Sequence, residues 1–221
     1  MGKNTWKAVV VSGGALIVSA LGLCAYNLNE SNKAYEASQT VLERLREQIP
    51  EVHQATEPLP TSYELKHDDL FAEYEPEAEM QPEMGTIDIA GEGYCGFITL
   101  PAIGIELPVR SEWSYAALRS TPCRYSGTVA GNDLIIAAHN YDSHFGRIDE
   151  LDQGDEVWFT DVNGERYYYE VEYTELISGS DAGSMVTGGS KEWALTLYTC
   201  DLSGQSRVTV RAARQEKEYE Q

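Results

Sequence analysis

Residues 8–26 read AVVVSGGALIVSALGLCAY, 19 positions without a charged side chain. A soluble helix this long would need apolar packing on every side, so the run points to a membrane span. At about 1.5 Å rise per residue it covers roughly 28 Å, close to the ~30 Å hydrocarbon core of a bilayer. Lys3 and Lys7 precede it and Glu30 follows, which predicts a cytoplasmic N-terminus and an exported remainder beyond Asn27. Trp6 and Tyr26 stand at its two ends, where amphipathic rings favour the interfaces. A cleaved signal peptide is the competing reading, with Val18-Ser19-Ala20 as its small-residue site, but the apolar run continues through Leu21, Leu23 and Ala25. Leu23 is too large to precede a lipidated cysteine, so Cys24 is a poor lipidation site. Residues 1–26 are therefore expected to form a cytoplasmic tip and a transmembrane anchor.

The net charge is −20, which excludes nucleic acid as a partner because phosphate binding needs a basic face. The acidic excess is densest in residues 27–93, where 16 acids face 4 bases. Within residues 27–86, Ala34, Ala37, Val41, Leu42, Leu45 and Ile49 recur at helical spacing until Pro50. That pattern predicts an amphipathic juxtamembrane helix acting as a spacer. Pro50, Pro58, Pro60, Pro76 and Pro82 then punctuate an acidic stretch that cannot bury a core, as expected of a stalk. His53 and His67 fall there and read as solvated.

Composition changes near Ile87. GYCGFITL, IGIELPV, LIIAAH, DEVWFT, RYYYEVEYTELI, WALTLYTC and RVTVRA are short β-type runs separated by Gly, Pro, Asn and Asp. Asn163-Gly164 is a strong hairpin turn, and only residues 114–120 look helical. Residues 87–214 are thus expected to form one mainly β domain, a seven- to eight-stranded barrel with few short helices, followed by a charged tail at 215–221.

None of Cys24, Cys95, Cys123 and Cys200 sits at CxxC spacing, so neither a zinc knuckle nor a thioredoxin-type motif is present. A disulfide between Cys95 and Cys123 is open. Cys200 ends an apolar strand and is followed by a polar turn, after which Arg207 opens the next strand. His139 closes another apolar strand, LIIAAH. A thiol, an imidazole and a guanidinium at strand margins supply a nucleophile, a proton shuttle and a cation for developing negative charge. A zinc site built from His139, His144 and Cys200 is disfavoured, since the histidines lack helical i, i+4 spacing and Arg207 would repel the metal.

TLYTC at 196–200, with Arg207 in SRVTV and His139 in RYSGTVAGNDLIIAAHN, resembles the signature of sortases, the cysteine transpeptidases of Gram-positive envelopes. GFITLPAIGIELPV and FGRIDELDQGDEV are similar to the family's opening strand pair and to the stretch after its histidine, so the resemblance covers about residues 94–212. Ala138 departs from the glycine that commonly precedes the family's histidine. The resemblance implies that Cys200 forms a thioester with a C-terminal LPxTG-like sorting signal of an exported protein. His139 moves the proton, and a peptidoglycan or lipid-linked amine takes the acyl group. It further implies Arg207 and the Asp201 backbone N–H as oxyanion donors, and Thr199 and His144 as substrate-binding candidates. It implies no metal and no cofactor, and no position matches the calcium site of some members. Residues 50–86 lack the aspartate–aromatic lid motif of pilin-polymerising members. Stretches 111–128 and 178–192 are expected to shape specificity. An L,D-type cysteine transpeptidase would need Ser-x-Gly-Cys-x-Arg around Cys200, which is absent. A membrane-anchored, non-enzymatic β-domain binding an envelope partner is the alternative.

Overall fold

The computed structural model describes residues 3–55, 84–181, 184 and 193–215. Most of the expected stalk, with His67, and nearly all of the tail lie outside the described residues. The apolar run and the amphipathic segment form one continuous helix, α1 (Lys3–Gln48). Val9, Leu16, Leu21 and Leu28 are well exposed along its first half, and this helix is long and apolar enough to cross a membrane.

The second half of α1 is a finding that the sequence pattern only half predicts. Ala34, Ser38, Leu42, Leu45 and Ile49 are buried at spacings of three and four, so one face packs against the chain's own barrel instead of serving as a free spacer. Leu42, Leu45 and Ile49 form an outer apolar cluster with Ile89, Tyr94 and Phe97. The Gln39 amide donates to the Glu106 carbonyl, and Arg46 pairs with the Glu106 carboxylate.

Beyond α1 the chain forms β1 (His53–Gln54), β2 (Ile87–Ile89), β3 (Glu92–Leu100), β4 (Ile105–Arg110), β5 (Cys123–Ser126), β6 (Leu134–Ala137), β7 (Glu156–Asp161), β8 (Glu165–Ser178), β9 (Leu195–Cys200) and β10 (Ser206–Gln215). Eight of these strands close on themselves in the order β3-β4-β5-β6-β9-β10-β8-β7, with β7 pairing back to β3. The pairs β4/β5 and β6/β9 are parallel and the rest antiparallel. This is the expected barrel, extended by the short edge strands β1 and β2. The stretch at 114–120 contains only a 3-10 turn, Ala117–Arg119.

Leu107, Leu134, Ile136, Phe159, Leu195, Leu197 and Val210 fill the barrel interior. β3 is buried on both faces, with Ile98 in that interior cluster and Phe97 in the outer one under α1, so its sequence shows no polar alternation. Gly96 lets this strand bend at a register shift. Its φ is 148°, and a Cβ there would fall 2.1 Å from the Thr160 carbonyl oxygen. The Asn163-Gly164 turn joins β7 to β8 as expected, with the Asp161 carboxylate accepting the N–H groups of Asn163 and Glu165. Cys95 and Cys123 are both free and buried, so the disulfide left open above does not form here. Burial pushes their thiols up to about 12 and about 11.

Leu45→Ala should cost about 2–4 kcal/mol, the range for a buried leucine that leaves a cavity. Because Leu45 belongs to the outer cluster alone, hydrogen exchange should speed up in residues 38–49 while β9 and β10 stay protected. Equal acceleration everywhere would show that helix and barrel are one cooperative unit.

Candidate active site

The sheet brings three distant residues to one row. β6 and β9 run parallel with Ala137 opposite Tyr198, and two residues further on each strand stand His139 and Cys200. The Ala138 N–H donates to the Tyr198 carbonyl, which carries that pairing past the end of β6. On the other side of β9, Arg207 is the direct antiparallel partner of Cys200. His139, Cys200 and Arg207 thus occupy neighbouring positions across β6, β9 and β10 at one rim of the barrel.

Cys200 is exposed, and Arg207 and His139 are half-buried. The thiol and the guanidinium both line a cavity of about 230 Å³. A larger polar groove of about 790 Å³, around Glu92, Arg110 and Arg124, is lined by none of the three. Trp113, Tyr125 and Tyr198 wall the smaller cavity in edge-to-face contacts with ring centroids 5.6 Å apart. Ser178, Gly179 and Asp181 lie among its remaining lining residues. Residues from both stretches expected to shape specificity therefore reach the cavity, but the individual aromatics carried no signal that sequence could separate from ordinary core. The Arg207 Nη1 donates to the carbonyls of Gly204 and Ser206, so the hairpin turn itself steadies the guanidinium.

The His139 ring stacks on Tyr141, with centroids 4.1 Å apart and planes 5° from parallel. Its Nδ1 is buried without a hydrogen-bond partner. Burial lowers its pKa below the ordinary 6.5, and the Arg119 charge acts the same way, against a side-chain hydrogen bond to Asn140 that raises it. A neutral imidazole near physiological pH can both accept and donate a proton.

Three of the expected site residues make contacts within the fold itself. His144 is fully buried and its Nε2 lies 3.1 Å from the Ser38 Oγ of α1. Thr199 is buried because its side chain points to the opposite face from Cys200, donating to the Ala138 carbonyl at 2.9 Å. It ties β9 to β6. The Asp201 N–H donates to the Ser206 carbonyl within the β9–β10 hairpin.

A nucleophile, an imidazole and a cation in one strand row suit acyl transfer through a thioester. The model of the sortase domain matches residues 98–215, more than half of the chain. The chain belongs to the sortase family. It is accordingly a cysteine transpeptidase of that family. Among solved structures, it is similar to sortase A from Corynebacterium diphtheriae, a lid mutant, at 23% identity and a TM-score of 0.50, covering 56% of this chain and 71% of that one. It is also similar to sortase C1 from Streptococcus suis at 22% identity and a TM-score of 0.50, covering 57% and 75%. At these identities the likeness establishes the barrel fold. No curated protein matches the chain.

Burial, with the nearby His139 charge, lowers the His144 pKa from 6.5 to about 4, against a hydrogen bond to the Ala34 backbone that raises it. Below pH 6.5 the unfolded sortase therefore binds more protons than the folded one. Stability is complete above 6.5 and falls as pH drops from 6.5 towards 4, by roughly 3 kcal/mol from this group. His144→Gln should flatten that part of the urea-midpoint profile; an unchanged slope would show that His144 is not held neutral.

Proposed function

We propose that this sortase is anchored in the membrane by α1 with its N-terminus in the cytoplasm, and that its barrel works outside. It cleaves a C-terminal, LPxTG-like sorting signal of exported proteins and passes the acyl group to an amine of peptidoglycan or of a lipid-linked precursor. The observation that supports the catalytic assignment is the shared row of His139, Cys200 and Arg207 beside the cavity. The anchor reading rests on the apolar first half of α1 and on Lys3 and Lys7 before it.

In the first half-reaction the Cys200 thiol gives its proton to His139 as its sulfur attacks the carbonyl carbon of the scissile Thr–Gly type bond, and the carbonyl oxygen takes up negative charge. Arg207, the strand partner of Cys200, supplies a fixed cation for that charge or a donor to the substrate backbone. As the intermediate collapses, the carbon–nitrogen bond breaks, His139 delivers a proton to the departing amine, and the acyl group remains on sulfur as a thioester. In the second half-reaction an incoming amine attacks the thioester and gives its proton to His139, the carbon–sulfur bond breaks, and a new amide leaves. The aromatic wall of Trp113, Tyr125 and Tyr198 supplies apolar area for the signal's non-reacting side chains. Tethering enzyme and membrane-held reactants to one surface raises their effective concentration.

Mass spectrometry of the protein incubated with LPxTG-like peptides tests this reading. Wild type should gain an acyl adduct on Cys200, and Cys200→Ala should gain none. Arg207→Ala should lower turnover on the order of 10²-fold with an unchanged fold. His139→Ala should stop transfer to an added amine. Wild-type turnover in any of the three variants would remove that residue from the mechanism.

A further inference from the structure

The contacts between α1 and the loop after His139 go beyond simple packing. The Ser38 hydroxyl lies 2.6 Å from the Ser120 carbonyl, to which it donates, and 3.1 Å from the His144 Nε2. A hydroxyl carries one proton, and here the carbonyl takes it, so Ser38 accepts from a protonated Nε2 of His144. The opposite nitrogen, Nδ1, is then unprotonated, and it is indeed buried without a partner. Both Ser38 and His144 are fully buried, so no water substitutes for either group.

From His144 the contact continues to the catalytic row. The Tyr141 carbonyl accepts the N–H groups of His144 and Gly146, both at 2.8 Å, which folds the loop onto itself. The Tyr141 ring lies between two imidazoles, 5.7 Å from that of His144 and stacked at 4.1 Å on that of His139. About two helical turns before Ser38, Ser31 meets Ser143 at 3.2 Å, so the loop is bound to the helix at two levels. Glu30 from α1 acts on Tyr141 and Arg119 acts on His139.

We infer that Ser38 and His144 are positioning residues. They latch the docked half of the anchor helix to the 139–146 loop, and through Tyr141 they fix the plane of the His139 ring over the Cys200 row. The anchor helix is thereby part of the scaffold of the active site as well as a tether. The inference rests on His139 as the proton shuttle. The stacked Tyr141 ring sets the plane of this imidazole, and misplacement by about 1 Å can cost on the order of 10²-fold in rate.

The test uses the full chain in detergent micelles. Ser38→Ala should lower kcat for acyl transfer from an LPxTG-like peptide at least about tenfold with KM within about twofold, and Ser38→Thr, which keeps the hydroxyl, should restore it. Leu45→Ala, which loosens the same helix without touching the latch, should reproduce the kcat loss. A second readout needs no peptide: the NMR titration of His139 should move towards its ordinary midpoint in Ser38→Ala and return in Ser38→Thr. Unchanged kcat and an unchanged His139 titration in Ser38→Ala would overturn the latch. So would equal losses in Ser38→Ala and Ser38→Thr that merely follow their thermal midpoints. If wild type forms no thioester but the His139 titration still responds to Ser38, the transpeptidase assignment of the row fails while the latch stands.

Discussion

The parallel pairing of β6 with β9 is the constraint on which the site depends. It sets Ala137 against Tyr198, and the proposed catalytic row follows from counting two residues onward along each strand. A parallel pair aims both chains at the same rim, so residues 61 positions apart leave the sheet side by side. The β9–β10 hairpin adds Arg207 from the other side. A slip of one residue in either pairing would turn Cys200 towards the interior and bring Thr199 to the cavity. The bond from the Thr199 hydroxyl to the Ala138 carbonyl opposes such a slip where it would do most harm.

The anchor helix carries two environments in one element. Its first half exposes apolar side chains, as a membrane-crossing segment would, and its second half buries them on one face against the barrel flank. The continuity between the halves makes α1 a rigid connection and not a leash. Docking also explains why β3 is apolar on both faces: Phe97 and Tyr94 are capped by Leu42 and Leu45, and Ile98 is capped by the barrel interior.

Much of this was legible in the sequence because it is periodic or local. The strand runs, the Asn163-Gly164 turn and the 19-residue apolar segment each announce themselves within a short window. The order of His139, Cys200 and Arg207 was legible through wording at strand ends. What escaped depends on long-range partners. The spacing of Ala34, Leu42 and Leu45 shows an apolar face without saying what covers it. His144 reads as a loop histidine because nothing nearby reveals Ser38, 106 residues upstream. Arg211 looks like a surface cation, yet it is buried between the Trp193 ring, Glu175, Thr196 and the Ser184 carbonyl. Nor does a sequence disclose that the Asp201 N–H donates to the Ser206 carbonyl across the hairpin.

The four cysteines end up in three different chemical situations. Cys24 is exposed on the apolar half of α1, Cys95 and Cys123 are sealed in protein, and Cys200 is exposed at the rim of the barrel. With no neighbouring thiol to condense with, an oxidised Cys200 has no internal route back to sulfide, so recovery must come from an outside reductant. With Cys24 inside a membrane as proposed above, a water-borne electrophile becomes a single-site reagent for this protein, its stoichiometry a count of open Cys200 thiols.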